Sequence, residues 1–303
     1  MQFAAHETFH IRDGWLHKGL SVISKRPDIF SDPHATDTFG VGRNMVDALR
    51  YWLIAADLAK EEKLKEGEVK TGNRYGFTPL GKLLFKRDRF IEEDLSLWAL
   101  HYHIATNKQK ATSWYWFFNK LPVTRFDTQT CLNYLLRWVE QLEGKRKPNI
   151  TSLQKDISCL LRTYTKAHGK RKSDYSPEDS FECPFASLGL VDYLENSDSY
   201  KVNYGKRTIP VHAFAYAVLC FMKGSEQART EVGFQDLLSS EGSPGRAFLL
   251  SSEGLLSNID LMIESFSKEF SFSKTAGLNT LRLRKGDVRA IEILERGYIG
   301  MDT

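Results

Sequence analysis

The sequence contains no uninterrupted apolar run close to the ~18 residues that a membrane-spanning helix requires. Its N-terminus, Met-Gln-Phe-Ala-Ala-His-Glu, lacks the basic and then apolar pattern of a secretory signal. We therefore expect a cytoplasmic protein with no membrane partner.

Cysteine is scarce, and its spacing excludes the common metal and redox motifs. The four cysteines are Cys131, Cys159, Cys183 and Cys220, and none of them forms a C-x-x-C pair. Three of them stand among apolar residues at helical spacing, which predicts buried free thiols.

Motifs of several large enzyme classes are also missing. The sequence has no Gly-x-Ser-x-Gly nucleophile motif, and Gly40 and Gly42 form a lone turn without the lysine of a phosphate-binding loop. What it does have is 42% hydrophobic and 12% aromatic residues over 303 positions. That composition predicts packed cores in two or three domains rather than disorder.

The net charge is only +4, but the charges are unevenly distributed along the chain. Nine basic residues and one acidic residue lie between positions 145 and 172, whereas positions 173–199 hold seven acidic residues and no basic one. Basic clusters of this kind can pair with phosphates, although a solvated face is the commoner outcome for any single run. A second basic stretch, positions 274–289, holds five basic residues and one acidic residue. The candidates in the two stretches are Lys145, Arg146, Lys147, Arg282, Arg284 and Lys285.

The periodicity predicts a mainly α (α+β) protein: a helical middle domain, 91–190, flanked by winged-helix-like modules at 1–90 and 191–303. In the first module we expect helices over 15–24, 34–39 and 43–61, followed by a strand within 74–79. The second helix of such a pair enters the major groove of double-stranded DNA. Its outward side chains predict DNA contacts by Arg43, Asn44 and Arg50, with Arg74 on the wing; an ordinary surface helix is an equal alternative.

The middle of the chain predicts helices over 93–105, 111–121, 127–142 and 151–165, the last with a capping box at 151–154. The aromatic run 114–118 is interpreted as buried core rather than as a base-stacking platform. Asp156 and Arg162 lie beside an apolar stripe, where a structural anchor is favoured over a catalytic role.

The last third alternates helices and strands. We expect a hairpin of 200–204 and 206–209 around Gly205, helices over 210–222, 234–239 and 251–266, and a turn and strand over 244–250. Two further strands, 270–273 and 280–284, would form the wing of the second module.

Functional groups are densest near the N-terminus, where His6, Glu7 and His10 match the H-E-x-x-H pattern of zinc proteases. That motif needs a helix, but residues 9–12 alternate as strands do, and no third ligand is evident. A zinc site is therefore disfavoured. A catalytic cluster that also includes Arg12, and a segment tied down by hydrogen bonds, stay as equal alternatives.

Several stretches in order resemble one bacterial family, the SspB-like family, long catalogued as a domain of unknown function. They are His6–Phe9, Arg12–Leu16, Gly40–Val46, Arg50–Trp52, Thr112–Asn119, Asp156–Tyr164, Glu178–Pro184, Leu188–Leu190 and Ser243–Arg246. Members usually carry Pro where this chain has His10, so the zinc-like pattern is incidental.

The resemblance implies a DNA-nicking endonuclease that acts in phosphorothioate modification of DNA and in phage defence. It also implies partners: a cysteine desulfurase, an ATPase and an ATP-pyrophosphatase-like sulfur transferase. Together with the residue density it predicts Glu7 as base or metal ligand, His6 as acid or base and Arg12 as phosphate clamp. The reaction type predicts Mg²⁺ as cofactor. The alternatives are a non-catalytic DNA-binding adaptor for the same partners and a pure protein-interaction scaffold.

Overall fold

The computed structural model describes residues 1–62, 72–143, 149–166, 183–224, 229–275, 278–284 and 286–299. Helices dominate, and the strands form small antiparallel sheets. The predicted α+β class, mainly α, is confirmed. Within these ranges, no helix combines the length and apolar character needed to cross a bilayer.

The first unit holds helices α1 (Trp15–Ile23), α2 (Ala35–Phe39) and α3 (Arg43–Ala55). Strands β1 (Ala59–Glu61) and β2 (Tyr75–Phe77) then pair antiparallel, and α4 (Pro79–Arg87) follows. The prediction of one helix over 43–61 was wrong at its end. Asp57 adopts a left-handed conformation, φ 55°, and Leu58 N–H bonds back to the Leu53 carbonyl, so the chain leaves the helix and enters a strand.

The middle holds α5 (Asp94–Thr106), α6 (Thr112–Lys120), α7 (Thr128–Glu143) and α8 (Ile150–Tyr164). All of α6 except Lys120 is buried, which confirms that its aromatic run belongs to the core. The predicted capping box at 151–154 was wrong. The Asn149 side chain caps α8 by accepting from Ser152 N–H, so the helix starts one residue before Thr151.

A three-stranded sheet of order β3-β5-β4 packs beside these helices, with β3 (Arg125–Phe126), β4 (Val191–Leu194) and β5 (Ser199–Val202). The predicted hairpin around Gly205 was wrong. Strand β5 pairs backwards with β4 through a turn that ends at left-handed Asp198, φ 42°, and residues 206–209 form no strand. Gly205 instead makes a single bridge to Leu250.

The last third holds α9 (Val211–Lys223), β6 (Glu231–Gly233), α10 (Phe234–Ser239), α11 (Pro244–Ala247) and α12 (Ser252–Ser265). Strands β7 (Phe270–Thr275) and β8 (Leu278–Leu283) complete a sheet of order β6-β8-β7, and α13 (Ala290–Ile299) follows. The prediction of a strand over 244–250 was wrong: the Ser243 hydroxyl accepts from Arg246 N–H and starts a short helix instead.

One hydrophobic core runs through all three parts of the described chain. Helix α13 packs on α9 and on α4. Its Tyr298 hydroxyl also lies 2.7 Å from the Ser96 hydroxyl on α5. The domain boundaries near 90 and 190 and the winged-helix interpretation of both modules stay predictions.

Candidate functional site

The buried carboxylate of Asp156, on α8, fixes the N-terminal segment. Ala4 N–H donates to its Oδ1 over 2.7 Å, and His6 Nε2 lies 2.8 Å from the same oxygen. The Ser113 hydroxyl on α6 donates to Oδ2. Asp156 is only 2% exposed, so it anchors the segment to two helices of the middle part, as the sequence-based interpretation of this residue predicted.

His6 uses both ring nitrogens inside the protein. Thr8 N–H lies 3.1 Å from Nδ1, which must therefore accept, so Nε2 carries the proton and donates to Asp156. The ring is 1% exposed and packs against Trp52 and Trp114 at centroid distances of 6.2 and 5.5 Å. These contacts fix the orientation of the His6 ring.

The anchored segment has an unusual backbone. Ala4, Glu7 and Thr8 adopt positive φ values of 54°, 51° and 76°. Left-handed conformations cost free energy in non-glycine residues and persist only where surrounding contacts impose them. Here the Asp156 bonds, together with the Trp52 indole N–H that donates to the Phe9 carbonyl over 2.9 Å, supply those contacts. Residues 9–12, predicted to alternate as a strand, form no strand.

Glu7 is thereby placed at a cleft of about 370 Å³ between the N-terminal segment, α3 and the β1–β2 pair. The ionisable groups in its lining are Glu7, Asp47, Arg50, Tyr51, Glu61, Tyr75 and Lys110. Two residues predicted from distant parts of the sequence, Glu7 and Arg50, thus meet in one cleft. Glu61 and Lys110 were missed, because nothing in their local sequence indicates that they approach Glu7.

The arginines predicted to read DNA share one carboxylate on α3. Asp47 lies 3.4 Å from Arg43 and 3.3 Å from Arg50, at helix spacings of four and three residues. Arg43 and Asn44 are exposed, and the Arg50 side chain is 37% exposed at the cleft. Asp47 orients both guanidinium groups while neutralising part of their charge.

Arg12 does not join this cleft. It is 8% exposed, and its guanidinium carbon lies 5.2 Å from the Trp15 ring and 5.5 Å from the Phe9 ring. Cation–π packing of this kind holds the side chain in the protein. His10 is also buried, at 7% exposure.

Three other predicted DNA contacts, Arg74, Arg282 and Arg284, do not line this cleft. Arg74 is 3.9 Å from Glu62, Arg282 is 3.1 Å from Glu231, and Arg284 donates to the Phe270 carbonyl over 3.3 Å. The other four candidates fall outside the described residues: Lys145, Arg146, Lys147 and Lys285. Across the described part of the chain, no group of three or more His, Cys, Asp or Glu side chains is placed to hold a metal ion.

Of the other conspicuous histidines, His101 belongs to the core and His103 is partly buried. His101 is fully buried: its Nε2 donates to the Ala247 carbonyl over 2.7 Å and its Nδ1 accepts from the Tyr164 hydroxyl over 2.9 Å. Burial lowers the pKa of His101 to about 3 and that of His103 to about 4. The four cysteines are free, as predicted, and burial raises the pKa of the Cys220 thiol to about 12.

The fold and this cleft define a helix-rich α+β protein whose sequence profile matches one family over residues 3–298, described as "Protein of unknown function (DUF4007)". The chain belongs to that family. No curated protein sequence matches it. Its structure is similar to two crystal structures of SspB, one of them magnesium ion-bound. The magnesium-bound structure gives a TM-score of 0.88 at 27% identity, and the other gives 0.87 at 29%. Each comparison covers 100% of this chain and 89% of the SspB chain.

Proposed function

We propose that this protein nicks DNA within a phosphorothioate-modification system that serves phage defence. The observation that carries the proposal is the similarity to SspB along the whole chain, including the segment that carries Glu7. The cleft adds chemical support, because it combines carboxylates that can activate water with cations that can bind a phosphate.

In the proposed reaction, Glu7 accepts a proton from a water molecule, and the water oxygen bonds to the phosphorus of one DNA strand. The bond from phosphorus to one ribose-linked oxygen breaks, and that oxygen takes up a proton. Arg50 and Lys110, which line the same cleft, stabilise the negative charge that develops on the phosphate. Exposed Arg43 and Asn44 hold the duplex beside the cleft.

The proposed cofactor is Mg²⁺, which one or two carboxylates, waters and a substrate phosphate can hold together. The cleft fits such a shared site: it offers Glu7 and Glu61, while Asp47 is engaged by two arginines. A bound Mg²⁺ would lower the pKa of its water and neutralise phosphate charge. One SspB structure is described as magnesium ion-bound, which supports the choice of ion.

His6 and Arg12 enter the proposal as positioning residues. The two nitrogens of His6 are occupied by Thr8 and Asp156, and Arg12 packs on aromatic rings. Both act through the conformation of the segment that carries Glu7. The proposed partners are a cysteine desulfurase, an ATPase and an ATP-pyrophosphatase-like sulfur transferase, which would modify the nicked strand.

The burial of His6 favours a second candidate, a non-catalytic DNA-binding adaptor that recruits the same partners. At 1% exposure, the residue predicted as acid or base cannot reach a phosphate while the segment stays docked. An adaptor needs only the arginines of α3 and no activated water.

The test is the conversion of supercoiled plasmid to open circle by the purified protein, with Mg²⁺ or with a chelator. Glu7→Gln keeps the shape of the side chain and removes the base, and Glu253→Gln is a matched control at an exposed carboxylate on α12. We expect metal-dependent nicking that is lost in Glu7→Gln, kept in Glu253→Gln and accompanied by unchanged DNA affinity in both variants.

Tight DNA binding without nicking, with either Mg²⁺ or Mn²⁺, would reject the nuclease and support the adaptor. Equal nicking by Glu7→Gln and the unaltered protein would reject Glu7 as the base. Failure to bind DNA at any salt concentration would reject both the nuclease and the adaptor, and would leave the protein-interaction scaffold as the remaining function.

A further inference from the structure

A second cleft of about 790 Å³ lies where the end of α6 meets α10 and α11. It shares no lining residue with the cleft at Glu7. Its floor is made by the loop that leaves α6, including Thr124, and its walls carry Lys120, Tyr204 and Arg246. None of these residues takes part in the function proposed above.

The segment Ser243-Pro244-Gly245-Arg246 builds one wall of this cleft. The Ser243 hydroxyl accepts from Arg246 N–H over 3.3 Å and so starts the short helix α11. Only glycine fits at position 245, because a Cβ there would lie 2.4 Å from the Leu238 carbonyl oxygen. This close approach to α10 sets the direction in which Arg246 leaves the backbone.

The Arg246 side chain is held in place by one hydrogen bond but, within the described residues, is not paired with a carboxylate. Its Nε donates to the Ser239 carbonyl over 3.1 Å, which orients the plane of the guanidinium. In the part of the chain that the structure describes, Arg246 forms no ion pair with a carboxylate. Its two terminal nitrogens therefore present a forked set of donors to the cleft, the geometry that binds phosphate oxygens.

The acidic residue in the lining of this cleft, Glu241, is already engaged. Glu241 accepts hydrogen bonds from Lys120 and from the Tyr115 hydroxyl, and these bonds with the lysine charge keep the pKa of Glu241 below its usual value against the opposing effect of burial. The charges of Lys120 and Glu241 cancel, and the remaining charge of Arg246 makes the cleft positive overall.

Tyr204 adds a flat apolar surface at the same cleft and is 41% exposed, although it is a large aromatic residue. An aromatic ring beside a guanidinium suits a ligand that has both a planar base and a phosphate. Thr124 also lines the cleft and offers a hydroxyl to a sugar, whereas the Ser239 and Ser240 hydroxyls already donate to the Gln235 carbonyl and the Asp236 carboxylate. We propose that this cleft binds a nucleoside 5′-phosphate, with the phosphate on Arg246 and the base against Tyr204.

The shared chemistry, a base next to a phosphate, can come from a free nucleotide or from a DNA strand end. Isothermal titration of the full chain with thymidine 5′-phosphate, thymidine and inorganic phosphate tests the site itself. A 5′-phosphorylated hexathymidylate separates the sources: a gain in affinity over the mononucleotide indicates a strand end, and equal affinity indicates a free nucleotide.

We expect thymidine 5′-phosphate to bind more tightly than thymidine or phosphate alone. Arg246→Gln should lower the affinity for thymidine 5′-phosphate at least about tenfold, since charge-assisted hydrogen bonds are among the stronger polar contacts. Tyr204→Ala should lower the affinity for thymidine 5′-phosphate and leave the affinity for inorganic phosphate unchanged. The control Arg289→Gln, which removes an exposed charge paired with Glu292 on α13, should bind normally.

No binding of thymidine 5′-phosphate at millimolar concentration, or unaltered binding by both cleft variants, overturns the proposal. Thermal unfolding checks that the variants are folded. If Arg246→Gln unfolds, Lys120→Gln replaces it, because the loss of Lys120 leaves the negative charge of Glu241 uncompensated in the cleft and should also weaken phosphate binding. Binding is measured without DNA cleavage, so this result does not depend on whether Glu7 supports nicking.

Discussion

Replacing Asp156 with alanine removes the carboxylate that holds the N-terminal segment. The substitution leaves three donors without their acceptor: Ala4 N–H, His6 Nε2–H and the Ser113 hydroxyl. Of these residues, His6 and Ser113 are 1% and 0% exposed, so water cannot replace the lost bonds without opening the core.

Each buried donor left unsatisfied costs about 1–3 kcal/mol. Two such donors and the smaller loss at Ala4 place the expected destabilisation of Asp156→Ala at about 3–5 kcal/mol, in the range measured for broken buried polar pairs. Asp156→Asn should cost about 1–2 kcal/mol. Its amide oxygen still accepts from Ala4 and His6, and the Ser113 hydroxyl can rotate to accept from the amide.

Urea unfolding measures both free energies, and limited proteolysis reports whether the segment around Glu7 detaches first. Asp192→Ala, at an exposed position on β4, is the matched control and should change the free energy of unfolding by less than about 0.5 kcal/mol. A loss below 1 kcal/mol in Asp156→Ala, with the N-terminal segment still protected from protease, would refute the anchoring role.

Three further predictions concern other elements. The folded-state pKa of His101, about 3, lies below the ordinary 6.5, so the unfolded chain binds the proton first: stability is lost as pH falls from 6.5 towards 3. Plotted against pH from 4 to 6, the free energy of unfolding in urea should therefore have a slope lower by about 1.4 kcal/mol per pH unit in His101→Asn than in the unaltered protein, and parallel plots would contradict this. Gly81→Ala would place a Cβ 2.0 Å from the Leu58 carbonyl oxygen and should destabilise by about 3 kcal/mol, whereas Gly286→Ala, in open space, should not; equal unfolding midpoints would count against the packing of α4. Arg43→Gln with Arg50→Gln should weaken DNA binding and lower the slope of log K against log salt by about 2, and an unchanged slope would remove α3 from the DNA interface.

The helices could be predicted because their periodicity and their burial agree. The apolar stripe of α3 and the all-round aromatic composition of α6 indicate how each element is buried, and the structure confirms both. The strand β1 could not be predicted from the same pattern. Ala56 and Leu58 are buried and extend the apolar content of the helix, while the left-handed turn at Asp57 depends on contacts made outside the segment.

The sequence could not predict which strands pair or which distant residues meet in the cleft. Strand propensity predicts a strand over 200–204, which overlaps β5, but it cannot choose between a partner strand before these residues and one after Gly205. For the cleft, the residue density at Glu7 and the polar face of α3 were visible separately. Their meeting with Glu61 and Lys110 depends on how the β1–β2 pair and the turn between α5 and α6 pack around the N-terminal segment.

The bond between Ala4 and Asp156 also has a consequence for synthesis, because its ends are 152 residues apart in the chain. At the usual 5–20 residues per second of translation, the ribosome needs roughly 8–30 s to make the intervening chain. During that interval the left-handed backbone at Glu7 has no support from α8. When the bond to Asp156 forms later, closing the long loop costs conformational entropy. The nascent chain therefore carries an unformed cleft until α8 emerges, and the contact between Ser96 and Tyr298, which are 202 residues apart, can form only after Tyr298 has been made.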